Sequence, residues 1–293
     1  MLPYMEKPGA VRRREEADIS ANARIKSYPD GSRAVLVCEA PIFKTRTGWE
    51  PVRAGEAPAK LRKGREGASD PARAVRRAKA QVRDLALCTP FRWFVTLTLD
   101  AARVDRYDMA AITRKLNAWL DNQVRRRGLA YVLVPERHKD GAIHFHGFFN
   151  DALEAVDSGT VSLPGQKHPK KPRNAAQRAA WLAQGGHVVY NLPGWSLGFT
   201  TALELYGDYP AAVGYVCKYI GKELDPEGQP VKLGGRWYYS GGPLGRPEVA
   251  YGDIPLQAAA QWPGAYQFSV REAHLGFVLA KIPSEGGEND GDQ

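Results

Sequence analysis

Val95, Leu97 and Leu99 alternate with Thr96, Thr98 and Asp100. Side chains on a strand point to opposite faces in turn, so this period of two predicts a strand at about 92 to 99 with one buried and one polar face. Apolar positions at helical spacing then predict a helix from about 106 to 126. The β-rich run Ala130 to Glu136, a tight-turn signal at Asp140-Gly141 and a returning run Ala142 to Phe149 predict a hairpin. A Pro- and Gly-containing loop from about Gly159 to Arg173 comes next, then a short helix after Asn174 and further strands near 187 to 206. Asp208 and Pro210 start a helix over 209–222, whose apolar stripe is Val213, Val216, Cys217 and Ile220. Upstream, Asp70-Pro71 opens another helix to about Leu87. This order predicts an α+β domain.

The helix at 209–222 carries the most specific chemistry. Tyr215, Lys218, Tyr219 and Lys222 stand at i, i+3, i+4 and i+7, which is one stripe of a helix. The plain alternative is an amphipathic helix with aromatic and basic residues on its wet side. A lysine three residues after each tyrosine favours a reactive face instead. A phenol ionises only near pH 10, so a tyrosine nucleophile needs its phenolate stabilised or its proton removed, and a cation with neighbouring ammoniums does both. Attack by tyrosine on a DNA phosphodiester conserves the bond energy, so the strand is resealed without ATP. No G-x-x-x-x-G-K-[ST] signature occurs, which argues against a helicase in this chain.

The hairpin supplies the cation. His144 and His146 flank Phe145 and project to one face of a strand, and Glu136 near the hairpin end has a carboxylate to offer them. Two imidazoles and a carboxylate leave positions open for water and phosphate. Nitrogen ligands favour Mn²⁺ in affinity, whereas cellular abundance favours Mg²⁺. Thr96 and Thr98 read as ordinary sheet positions, and Asp100 as either a metal contact or a cap for the chain that follows.

Taken in order, Phe94-Val-Thr-Leu-Thr, His144-Phe-His146 and Tyr215-Val-Cys-Lys-Tyr219-Ile-Gly-Lys222 resemble the three motifs of the HUH endonuclease superfamily, in particular the rolling-circle replication initiators of small single-stranded DNA phages and related plasmids. The resemblance covers roughly residues 72 to 245. It implies an antiparallel sheet palm, similar to the RNA-recognition fold, with helices packed on it. It implies a protein that nicks one strand of single-stranded or hairpin origin DNA, stays joined to the 5′ phosphate through tyrosine, and leaves a 3′ hydroxyl for synthesis. His144 and His146 match the family's metal ligands, Glu136 an upstream acidic ligand, and Tyr215 with Tyr219 the two-tyrosine phage pattern, in which the second tyrosine cuts the regenerated origin. Segments 189–199 and 236–242 also look like parts of such initiators. Host helicase and DNA polymerase are the implied partners, in the bacterial host cytoplasm. A relaxase or single-strand transposase uses the same chemistry, and a non-catalytic nucleic-acid-binding module is the alternative from another class.

Charge strengthens the nucleic-acid reading. The 293 residues carry a formal +9, and the first 87 hold 19 basic against 11 acidic residues, an excess of eight. Arg73, Arg76, Arg77, Lys79 and Arg83 on the helix after Asp70 are placed to track phosphates, and Lys167, Lys170, Lys171 and Arg173 suggest a mobile basic flap. Trp195, Trp237, Tyr238 and Tyr239 are candidates for stacking on unpaired bases. The expected division is a basic N-terminal extension over 1–70, an endonuclease domain over 71–245 and a C-terminal segment over 246–293 with a disordered acidic tail from about 284. Three widely spaced cysteines suggest neither a disulfide framework nor a zinc ribbon and fit a reducing cytoplasm. No apolar run approaches membrane-helix length, and the start lacks the basic-then-apolar pattern of a secretory signal.

Overall fold

The computed structural model describes residues 19–45, 70–166, 168–205, 209–270 and 275–282. They fall into two compact units, one from 70–246 and one from 19–45 with 247–282. The acidic tail from about 284, Lys167 and Asp208 lie outside the described residues.

The chain opens with strands β1 (Ile19–Ala21), β2 (Ala23–Ser27), β3 (Arg33–Cys38) and β4 (Phe43–Thr45). The unit at 70–246 contains α1 (Pro71–Cys88), β5 (Trp93–Leu99), α2 (Met109–Arg127), β6 (Tyr131–Arg137), β7 (Ile143–Phe149), β8 (Val156–Ser162), α3 (Ala175–Ala183), β9 (His187–Asn191), β10 (Gly198–Glu204), α4 (Tyr209–Tyr219) and β11 (Tyr239–Gly241). Then come β12 (Glu248–Gly252), α5 (Leu256–Ala259), β13 (Tyr266–Val270) and β14 (Leu275–Ile282).

The larger unit is a seven-stranded antiparallel sheet, ordered β11-β6-β7-β5-β10-β9-β8, with helices on both faces. The fold is α+β. Alternation on β5 sorts the two faces: Val95, Leu97 and Leu99 are buried in one core with Ile112, Leu116, Trp119 and Leu120 of α2. Val75, Val82 and Leu85 of α1 and Val213, Val216, Cys217 and Ile220 from α4 and its exit pack with Val132, Val134 and Phe148 in the other. The predicted apolar stripe of the tyrosine helix is therefore buried, and it fixes which way the opposite stripe faces.

Helix boundaries follow local chemistry. The Asp70 carboxylate accepts from the Ala72 N–H at 2.9 Å and Pro71 fills the first turn. Asp108 caps α2, which ends at left-handed Gly128. The Asn174 side chain accepts from the Gln177 N–H and starts α3.

Three expectations change. The tyrosine helix stops at Tyr219 rather than 222, because Gly221 has φ +77° and a Cβ there would lie 2.7 Å from Val75 of α1. The expected loop from Gly159 is strand as far as Ser162, and Val161 exchanges two 2.9 Å backbone hydrogen bonds with Lys170. Trp195 and Tyr239 are core residues at 4 % and 1 % exposure and cannot stack on DNA bases, whereas Trp237 and Tyr238 are half-buried.

The second unit is a five-stranded antiparallel sheet, ordered β12-β2-β3-β14-β13, so the strands flanking 70–246 share one sheet. Ala23, Val35, Val37 and Val278 pack against Ala259 of α5 on one face.

Candidate active site

Register brings the site together. Thr96 pairs with His146 and Thr98 with His144 across β5 and β7, while Glu136 on β6 pairs with His144 from the other side. Directly opposed residues share a face. This face also carries α4.

Each histidine is held by a threonine. Thr96 Oγ1 lies 3.1 Å from Nδ1 of His146, and Thr98 Oγ1 lies 3.3 Å from Nδ1 of His144. Fixing Nδ1 leaves Nε2 of both rings as the nitrogen available to a ligand. Nε2 of His146 lies 2.7 Å from Glu136 Oε2, and Lys222 Nζ donates to the other carboxylate oxygen, Oε1. Burial lowers the pKa of both imidazoles below the ordinary value. For His144 the nearby His138 adds to this, and for His146 the Glu136 carboxylate opposes burial without reversing it. Both rings therefore favour the neutral form that a metal requires.

Two phenols sit on these imidazoles. The Tyr219 ring stacks on His146 with centroids 4.5 Å apart and planes 14° from parallel, and its hydroxyl donates to the Tyr215 hydroxyl at 2.5 Å. Burial pushes the Tyr219 phenol well above its ordinary range, and its hydrogen bond to Tyr215 adds to the shift. Tyr215 is 44 % exposed and packs edge-on against Phe94. Lys218 Nζ lies 5.8 Å from the Tyr215 ring centroid and Lys222 Nζ 5.4 Å from that of Tyr219. A cleft of about 200 Å³ opens beside Tyr215, lined by Phe94, Leu203, Tyr209 and Ala212.

Among the described residues, no three His, Cys, Asp or Glu side chains stand around a common point as a cation cage. The donors nonetheless fit one. Neighbouring ligands of an octahedral ion at about 2.1 Å stand about 3 Å apart, so the His146–Glu136 contact needs to open by only a few tenths of an ångström. Oε2 faces His146 while Lys222 holds Oε1, and the remaining positions suit water and phosphate oxygens.

The sequence reading assigned Thr96 and Thr98 no chemical part. The signal was present: a Thr-x-Thr strand with the same period as His-x-His pairs hydroxyl to imidazole once the strands are neighbours. Asp100 resolves as a cap, accepting from the Ala102 N–H at 3.0 Å and pairing with Arg103.

The basic candidates are spread out. Arg73, Arg76, Arg77 and Arg83 are exposed on α1, Lys79 is half-buried, and Arg76 reaches Asp70 at 3.5 Å. Arg77 lines a cavity of about 390 Å³ together with Lys232, Arg236, Trp237 and Tyr238. Lys170, Lys171 and Arg173 are exposed between β8 and α3, and none of them lines either cavity.

Residues 92–224 match the model of the replication-associated protein ORF2 family. The match runs from the start of β5 past the end of α4, so it takes in both threonines, Glu136, both histidines, both tyrosines and both lysines. It is consistent with a replication initiator and implies DNA binding. No curated protein and no solved structure matches the chain. No helix among the described residues is long and apolar enough to cross a membrane.

Proposed function

We propose that the protein initiates rolling-circle replication by nicking one strand of single-stranded or hairpin origin DNA, with Tyr215 and Tyr219 as nucleophiles and a divalent cation, Mg²⁺ or Mn²⁺, held by His144, His146 and Glu136. The observation that carries this reading is the stacking of Tyr219 on His146 while its hydroxyl touches that of Tyr215. Two nucleophiles and the imidazole pair share one patch of surface.

When bound, the cation neutralises charge on a non-bridging phosphate oxygen as phosphorus becomes five-coordinate. The chain's residues do the rest. Tyr219 donates to the Tyr215 oxygen, so negative charge developing on Tyr215 meets a fixed donor, and Lys218 places a second positive group over that ring. Tyr215 is therefore the first nucleophile. Its oxygen forms the bond to phosphorus, the phosphorus–O3′ bond breaks, and the departing oxygen takes a proton to become the 3′ hydroxyl. Tyr219 remains for the second cut. Its attack on the regenerated origin frees a new 3′ hydroxyl, which attacks the first phosphotyrosine, rejoins the strand and releases Tyr215. Host helicase and polymerase supply unwinding and synthesis.

Covalent trapping on a single-stranded origin oligonucleotide labelled 3′ of the nick, with Mn²⁺, tests the reading. Tyr215→Phe should slow the first adduct by at least about a hundredfold, as expected when a nucleophile is lost, and Tyr219→Phe by much less. The double variant should bind DNA and form no adduct. An adduct on the double variant, or none on the parent, refutes the mechanism.

A further inference from the structure

The second unit carries a feature that the nuclease chemistry leaves unused. Its five-stranded sheet is covered on one face by α5, and strand register sorts the residues of the opposite face. Tyr251 pairs with Arg24, Arg24 with Leu36, Leu36 with Leu279, and Leu279 with Tyr266. Two residues along, Val249, Lys26, Ala34 and Lys281 form the next row, and on the other side Cys38, Phe277 and Phe268 form a third.

That face is aromatic, basic and open. Tyr266 is 67 % exposed, and Val249, Tyr251 and Leu279 each exceed 40 %. The aromatic rings already lie in stacks: Phe268 on Phe277 at 5.1 Å and 8°, and Tyr266 beside Phe268 at 6.0 Å and 22°. Arg24, Lys26 and Lys281 share the face, and the registered positions of the five strands place no Asp or Glu on it. The Arg24 guanidinium lies 5.5 Å from the ring centroid of Phe43, which itself packs on Tyr251.

A buried hydrophobic face explains apolar residues, but it does not explain arginine and lysine beside exposed tyrosines with no carboxylate among the registered positions. A polyanion with flat apolar faces does. Single-stranded nucleic acid offers phosphates to the cations and unpaired bases to the rings, and stacking works for any base. We infer that this sheet face is a sequence-tolerant platform for single-stranded DNA, separate from the nicking site. It rests on the proposed function only in taking DNA as the ligand.

The test uses the full chain and fluorescence anisotropy with an oligo-dT of about 20 nucleotides, a length that spans such a platform and contains neither origin nor hairpin. Tyr251→Ala with Tyr266→Ala should weaken binding by at least about tenfold, and Lys281→Glu should weaken it with a shallower salt dependence. Both should retain the parent's circular dichroism melt and still form the covalent adduct on saturating origin oligonucleotide. Should the tyrosine pair unfold the unit, Lys281→Glu carries the test alone. Tyr215→Phe with Tyr219→Phe should bind oligo-dT like the parent, so failure of the nicking chemistry leaves this readout intact. Oligo-dT affinity within twofold of the parent in the folded variants overturns the inference. So does a fall in self-association on sedimentation with no change in DNA affinity, which would make the face a contact between copies.

Discussion

At the scale of single residues, the feature that most changes the chemistry is a pair of hydroxyls. A histidine on a strand is free to rotate its ring, and a ligand whose nitrogen wanders binds metal weakly. Thr96 and Thr98 remove that freedom by meeting Nδ1 of His146 and His144. Thr96→Val keeps the shape and loses the hydroxyl. In the proposed mechanism its adduct rate at limiting Mn²⁺ should fall by about 10 to 100-fold, the range for loss of an outer partner of a ligating histidine, and saturating Mn²⁺ should restore most of it. A Mn²⁺ titration of adduct formation reads this directly. An unchanged titration would make the hydroxyls merely structural.

At the scale of elements, α4 is positioned by what it buries and by where it stops. Val213, Val216, Cys217 and Ile220 turn one side into the core, Tyr209 donates to the Ala86 carbonyl of α1 at 2.8 Å, and Gly221 ends the helix. The turn at Gly221 lets Lys222, outside the helix, reach Glu136. A side chain at position 221 meets both a left-handed backbone and Val75. Gly221→Ala should therefore cost about 1 to 3 kcal/mol, measured by urea unfolding at equilibrium. A loss below about 0.5 kcal/mol, the size of an ordinary surface change, would show that the turn relaxes freely. The helix length was misread from sequence because Tyr215, Lys218, Tyr219 and Lys222 keep helical spacing on paper, while the cause of the stop is a valine on another helix.

At the scale of the molecule, the formal +9 is concentrated toward the amino-terminal third, and α1 presents Arg73, Arg76, Arg77 and Arg83 to solvent. If these residues follow a DNA strand, Arg73→Gln with Arg77→Gln should weaken binding on all sequences alike. The slope of log affinity against log salt should become shallower by about 0.7 for each phosphate of a single strand that is no longer neutralised. Anisotropy across a salt series measures it, and an unchanged slope would leave the arginines as a solvated face. Much of the larger unit was legible in the chain because its signals are local: alternation on β5, the Asp140-Gly141 turn, the caps at Asp70 and Asn174, and the two stripes of α4 each depend on residues a few positions apart. Trp195 and Tyr239 were misassigned because an aromatic residue looks the same in sequence whether it faces DNA or α2. The order of strands, the pairing of Thr-x-Thr with His-x-His, and the union of β2 and β3 with β12 to β14 link residues from tens to more than two hundred positions apart. The sequence by itself determined which residues could do chemistry, since that is a property of side chains and their spacing. Only the tertiary structure decided which of them meet, because backbone hydrogen bonds between distant strands set the register that puts Tyr219 on His146.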